Sequence, residues 1–325
     1  MNTDYAMSEQ QVSAKSKGLP VIKISRMIIQ FLSFFLVNYA ILELIFKADF
    51  SALKDFLRVL PFLQSADSAW TAGAGLLEYA LHAIINGKFP FLFIGLIGLF
   101  GLFTGRFFCG WACPTGFIQD LLSGLANEDA KISMDTDRGM KKIKNVILII
   151  VLGLLLPLGY YFSNNPDNYV QYTGALGMFA VNPLAPFSFS EFFLVTFPEI
   201  IQSIIDNASV AQLFEPANLF RTILFFGYLI ILGLSVYYPR FYCKYLCHYA
   251  AAIKPFSRFS LLRLKRLPTR CPGRKECGVC EKVCQMQVRI LDEGFDGFTG
   301  GGECTLCLEC MEKCPYEAIK FAKPF

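Results

Sequence analysis

Histidine is nearly absent from this chain, with two in 325 residues, His82 and His248. The membrane topology read below puts them on opposite sides, so they do not form a bis-histidine haem site, and no haem is expected in this chain. The run Cys243-x3-Cys247-His248 does not match a haem c attachment, which uses C-x2-C-H. Charge is also scarce. Asp, Glu, Lys and Arg make up 17% of the chain, against 54% hydrophobic residues. A soluble domain of this size is rarely so apolar, so a membrane protein is the first expectation. The net charge is only +4. It reads as an orientation signal and not as a nucleic-acid surface. Lys and Arg are missing altogether from residues 164–218.

What the chain does have is apolar runs and cysteine. Four segments, at about 27–46, 89–104, 145–162 and 219–238, approach the ~20 residues that cross a bilayer. Lys and Arg orient them. Residues 1–26 carry four, 105–144 six and 240–325 fifteen, whereas 47–88 carries four and 164–218 none. Both termini are therefore expected inside. The first run is too long for the apolar core of a cleaved signal and reads as a signal anchor. The expected layout is a flexible tail over 1–24 and a four-span membrane domain over 25–253. A basic interfacial linker follows over 254–270, then a cytoplasmic cysteine-rich domain over 271–325. Within the first span, Tyr39 and Glu43 are candidates for proton contact, since an ionisable group in a span carries a functional expectation.

Eight of the twelve cysteines lie in the tail. Cys304, Cys307, Cys310 and Cys314, followed by Pro315, make the run C-x2-C-x2-C-x3-C-P of bacterial ferredoxins. Cys271, Cys277, Cys280 and Cys284 make a looser run with a longer first loop. In two-cluster ferredoxins the last cysteine of each run serves the other cluster. The expected ligand sets are then Cys271, Cys277, Cys280 and Cys314 for one [4Fe–4S] cluster, and Cys304, Cys307, Cys310 and Cys284 for the other. Zinc sites favour paired C-x2-C units, and a cytoplasmic location disfavours disulfides. The fold class is thus an α-helical membrane protein with a C-terminal α+β two-cluster ferredoxin domain.

The other four cysteines expose an internal repeat. Arg106, Phe107, Cys109 and Cys113 align with Arg240, Phe241, Cys243 and Cys247 at one constant offset, without a gap. The repeat is a two-span unit whose cysteine pairs face the same inner side. At i,i+4 spacing on a helix, both sulfurs of a pair share a face. Three readings stay open: a further iron–sulfur cluster, redox-active thiols, or small residues that let helices pack.

Residues 105–114 carry G-R-x-F-C-G-W-x-C-P. With four spans, two C-x3-C motifs and the two-cluster tail, this resembles the NapH/NosR-type membrane polyferredoxins, and among them the NapH-like quinol dehydrogenase membrane subunits. The resemblance covers roughly residues 25–325. It implies membrane lipid, quinone or quinol, and other subunits of a redox complex as partners, in a multi-pass inner-membrane setting. The second motif departs from the family's pattern, with His248 in place of proline, which adds a third candidate for proton or quinone contact. Two other functions remain as alternatives: a reductive maturation factor of the CcoG-like type, and a redox-sensing regulator.

Overall fold

The computed structural model describes residues 21–37, 46–47, 76–125, 130–181, scattered positions over 183–205, and 219–322. The chain is mostly helical. Helix α1 spans Val21–Val37, α2 Leu76–Ile85, α3 Phe91–Thr104, α4 Phe107–Trp111 and α5 Pro114–Ser123. Next come α6 (Met134–Met140), α7 (Ile143–Asn164), α8 (Pro166–Leu176) and α9 (Met178–Val181). The second half contributes α10 (Leu219–Tyr237), α11 (Phe241–Tyr245) and α12 (His248–Ser257). The tail adds β1 (Leu264–Arg266), α13 (Val279–Lys282), α14 (Glu309–Glu312) and β2 (Ile319–Phe321).

The repeat read from sequence is a repeat of structure. Adding 134 to the bounds of α4 and α5 gives those of α11 and α12. The second span of each half ends at a left-handed residue, Gly105 (φ +61) in one and Arg240 (φ +55) in the other. Glycine accepts that conformation freely. Arginine does not, and its guanidinium is held by an ion pair described below.

The halves cross. Helix α5 of the first half packs on its own α1 and on α10 of the second half, while α12 packs on its own α7 and on α3 of the first. Each bundle therefore mixes both halves. One core joins Leu76, Leu81, Ile97, Leu155, Leu158, Tyr249 and Ile253. The other joins Phe189, Phe192, Tyr228 and Tyr242. Gly159 lets α7 approach the end of α2 closely, since an added Cβ there would lie 2.2 Å from the Ile84 carbonyl oxygen.

The outer faces are apolar. Leu92, Ile94 and Leu99 on α3, Ile149 and Ile150 on α7, and Ile223 and Ile230 on α10 are all exposed. Among the described residues, one helical stretch, Met134–Asn164, is long and apolar enough to cross a membrane. Of the helices at the four expected spans, α3 is the shortest. Helix α3 has 14 residues, about 21 Å at 1.5 Å per residue. Helix α1 has 17 and α10 has 19. The remainder of the first expected span lies largely outside the described residues.

The stretch over 254–270 bonds to both parts of the chain. Its first residues finish α12, and β1 pairs antiparallel with β2 inside the tail domain. Leu261 N–H donates to the Leu102 carbonyl, and Leu262 N–H to that of Phe103. These bonds stitch the tail to the C-terminal end of α3.

Candidate metal centre

The two C-x3-C pairs do not lie on continuous helices. Helix α4 ends at Trp111, and Cys113 sits in extended conformation (φ −70°, ψ 123°) as the cap of α5. Cys247 repeats this geometry (φ −63°, ψ 107°) at the start of α12. A helical break between the two cysteines thus replaces the expected shared face. His248 takes the first position of α12 without disturbing the turn. Proline is favoured there for its fixed φ, and any residue with helical φ can serve.

Each turn brings its sulfurs under hydrogen-bond donors. Ala250 N–H donates to Cys247 Sγ at 3.4 Å, and the backbone N–H groups of Thr115 and Gly116 donate to Cys113. Gln119 Nε2 donates to Cys243 Sγ at 3.0 Å. Because the halves cross, the pairs meet, and all six pairings of these four sulfurs interact electrostatically. Burial, reinforced by that mutual repulsion, pushes the Cys113 thiol up to about 12.

In the tail, Cys271, Cys277, Cys280 and Cys314 line one small apolar cavity. Cys284, Cys304, Cys307 and Cys310 line another. Each quartet draws on both cysteine runs. Leu306 N–H donates to Cys304 Sγ, Val288 N–H to Cys284 Sγ and Ala318 N–H to Cys314 Sγ, at 3.3–3.4 Å. The loop reaches this shape through left-handed Leu306 and Leu308. Burial pushes Cys304 and Cys280 up to about 12, so charged thiolates here need a cationic partner. Among the described residues, no three His, Cys, Asp or Glu groups converge on a single-ion site, and all twelve cysteines are unpaired. Four soft donors spread around a cavity fit a polynuclear iron–sulfur body better than one zinc ion.

The tail is seated on the membrane half through its second cysteine run. Trp111 Nε1 donates to the Leu306 carbonyl at 2.8 Å. A Cβ added at Gly110 would lie 2.2 Å from the Thr305 carbonyl oxygen. Gly110 thus allows backbone to meet backbone between one cysteine of the membrane turn and one of the tail. Replacing Gly110 with alanine is expected to loosen this seat by about 1–3 kcal/mol, as overpacking does. Limited proteolysis at residues 258–263 reads it as faster cleavage.

Two buried charge groups flank this contact. In the first, Asp120 accepts from Arg240 Nε and Nη2 at 2.9 and 2.6 Å. It also accepts from Gln30 at 3.0 Å and lies 3.4 Å from Arg26. Burial alone would raise the Asp120 carboxyl, but the Arg240 guanidinium overrides it and holds the carboxyl below its ordinary value. In the second, Glu303 meets Arg106 and Lys144 at 2.6 Å each and Lys254 at 2.7 Å. Arg106 lies in the electrostatic reach of Cys109, Cys243 and Cys247 and of Cys304. Arg240 reaches Cys243 and Cys307. The two arginines therefore stand between the membrane quartet and the nearer tail quartet.

None of these charged partners was singled out as a site residue by sequence reading. The available signal was the pair Arg106 and Arg240, which recurs beside both cysteine motifs. Of the quinone candidates, Tyr39 and Glu43 lie outside the described residues. His248 is buried, with Nδ1 meeting no protein partner. Burial lowers its pKa to about 4, so it is neutral at physiological pH.

Comparison with known proteins matches residues 87–132 and 220–266 to the family Fer4_5, described as a 4Fe-4S binding domain. The two matches fall one on each half of the repeat. The chain is 26% identical over 219 residues to the uncharacterized protein MJ0749 of Methanocaldococcus jannaschii, covering 67% of this chain and 65% of that one. It is 23% identical over 261 residues to YccM of Escherichia coli, named for a role in electron transport, covering 76% and 60%. Regulatory protein NosR of Pseudomonas aeruginosa is 25% identical over 266 residues, 72% of this chain and 29% of NosR. A shorter NosR sequence from that species is 36% identical over 80 residues, 73% of its length. The chain thus spans less than two thirds of MJ0749 and YccM and under a third of the longer NosR. No solved structure matches it.

Proposed function

The chain belongs to the NosR-type membrane polyferredoxins, and from that premise we propose that it is the membrane-anchored subunit of a redox complex, passing electrons between the quinone pool and a partner protein through two [4Fe–4S] clusters. Cys271, Cys277, Cys280 and Cys314 hold one cluster, and Cys284, Cys304, Cys307 and Cys310 hold the other. The apolar outer faces of α1, α3, α7 and α10 form four spans, with short α3 extended by its flanks. Both termini and the cysteine-rich tail lie on the cytoplasmic side, where Lys and Arg are concentrated.

The observation that carries this reading is the seat of the tail on the membrane half. Gly110 and Trp111 touch Thr305 and Leu306, so the quartet of Cys284, Cys304, Cys307 and Cys310 sits directly against the inner ends of the helices. Cys310 in turn feels Cys280 of the other quartet, so the two tail quartets abut. When bound, each cluster supplies a one-electron reservoir. The protein's own residues do the rest. Backbone N–H groups hold the sulfurs, Arg106 and Arg240 favour added negative charge, and Phe298, Leu306 and Leu308 keep water out.

The test uses the full chain, purified anaerobically in detergent. A quinol analogue is expected to bleach the iron–sulfur absorption, or an oxidised quinone to restore it after chemical reduction. Failure in both directions would remove the quinone from the reading.

A further inference from the structure

The two-cluster reading leaves Cys109, Cys113, Cys243 and Cys247 unused. Their surroundings are as built as those of the tail quartets. The repeat delivers the same turn twice: the N–H of Cys113 bonds the Phe108 carbonyl at 3.0 Å, and the N–H of Cys247 bonds the Tyr242 carbonyl at 3.0 Å. The crossing of the halves then sets the two turns against each other. Helix α5, which Cys113 caps, packs on α10 of the other half, and α12, which Cys247 caps, packs on α3. Neither half alone holds more than two of these thiols.

Three observations point to a ligand between them. First, the two turns are tied together around the sulfurs: Arg240, three residues before Cys243, donates to the Cys109 carbonyl at 3.2 Å, and the four sulfurs interact pairwise in every combination. Second, donors aim at the sulfurs. Gln119, fully buried, spends its Nε2 on Cys243 Sγ and its Oε1 on the Tyr242 N–H. A buried amide directed at a sulfur suits a thiolate held by metal. Third, cations crowd the site: Arg106 and Arg240 are 1% and 0% exposed, and Arg106 Nε is buried without a protein partner. A four-thiolate cluster is anionic and would offset such charge.

We propose that Cys109, Cys113, Cys243 and Cys247 together ligate one further [4Fe–4S] cluster, shared between the two halves of the repeat. It rests on the reading above, in that this centre would be the member of the relay nearest the membrane. The Fer4_5 match covers each half separately. The shared site follows from the crossing, and it predicts that one pair of cysteines is useless without the other.

The test is anaerobic iron and acid-labile sulfide content per full-length chain, with electron paramagnetic resonance spin counting after chemical reduction. The wild type, a Cys109→Ser/Cys243→Ser variant and a Cys304→Ser/Cys310→Ser variant are compared. The wild type is expected to hold about 12 irons and the membrane variant about 8, four per four-cysteine cluster. Cys109→Ser alone is expected to lose the same four irons as the double variant. A wild type holding about 8 irons would overturn the proposal, whether or not any variant folds. So would a membrane variant that keeps its full iron content. Failure of the two-cluster reading looks different. About 4 irons in the wild type, lost from the membrane variant and kept in the tail variant, would remove the tail clusters and leave the shared site standing.

Discussion

Replacing Asp120 with alanine is expected to destabilise the protein by about 3–5 kcal/mol, the usual cost of stripping one partner from a buried ion pair. The reason lies in what the carboxylate touches. Arg240 is 0% exposed and spends two of its donors on Asp120. Arg26, also fully buried, lies 3.4 Å away. Without the carboxylate, Arg26 keeps Glu309 at 2.8 Å, but Arg240 keeps only the Cys109 and Gly110 carbonyls, so a buried guanidinium is left without a counter-charge. Asp120→Asn keeps the shape and one acceptor but not the charge. It should recover only a minor part of the loss. The dependence on pH has a definite sign. The folded-state carboxyl titrates below its unfolded value of about 3.9, so its contribution is complete above that value and is lost as pH falls through the folded value. Thermal denaturation in detergent should show a wide gap between wild type and Asp120→Asn near neutral pH, closing on acidification. A gap that is small at neutral pH, or that widens in acid, would mean that the ion pair is not what holds α1, α5 and α11 together.

This network also marks how far the sequence could be read. Grouping the tail cysteines needed only local spacing and one exchange rule, because short loops wrap each cavity. The duplication was legible because an ungapped alignment survives in Arg106, Phe107, Cys109 and Cys113 against their counterparts. The crossing of the halves was not legible. Spacing shows that two motifs are alike, but it does not show which helix each one packs on, and that depends on surfaces distant in sequence. The same limit explains why the cysteine pairs were expected on one helical face. The break before Cys113 is a cap, and its geometry comes from the tertiary seat of α5 as much as from Pro114. Nothing in the sequence marks Asp120, since its partners Arg26 and Arg240 lie 94 and 120 positions away. Lys and Arg were read as orientation signals. In the fold, several of those cations, Arg106 and Arg240 among them, are buried near the cysteines.

The second large effect is expected at Glu303, and the repeat explains it. Asp120 of the first half aligns with Lys254 of the second. Where the first half carries its own acid beside a buried arginine, the second half carries another cation. The missing acid comes from the tail domain, where Glu303 reaches Arg106, Lys144 and Lys254 together. Glu303 is thus an electrostatic key, one residue before Cys304, that completes the second half only when the tail is seated. Removing it as Glu303→Ala leaves three cations in mutual repulsion, two of them almost fully buried. The expected cost is about 3–5 kcal/mol, concentrated at the interface between the tail and the membrane half. Residues 258–263 should become accessible to protease, while the Asp120 group keeps the other bundle intact. A second substitution separates charge from docking. Lys254→Asp in the Glu303→Ala background restores an acid at the position equivalent to Asp120. It should recover the thermal stability of the membrane half without restoring protection of the 258–263 stretch, because the new acid no longer comes from the tail. If Lys254→Asp restored both, seating would depend on neutralising Arg106 and Lys144 and not on the domain that supplies the carboxylate. If Glu303→Ala left both readouts unchanged, the tail would be held by Trp111, Gly110 and the backbone bonds of Leu261 and Leu262 alone.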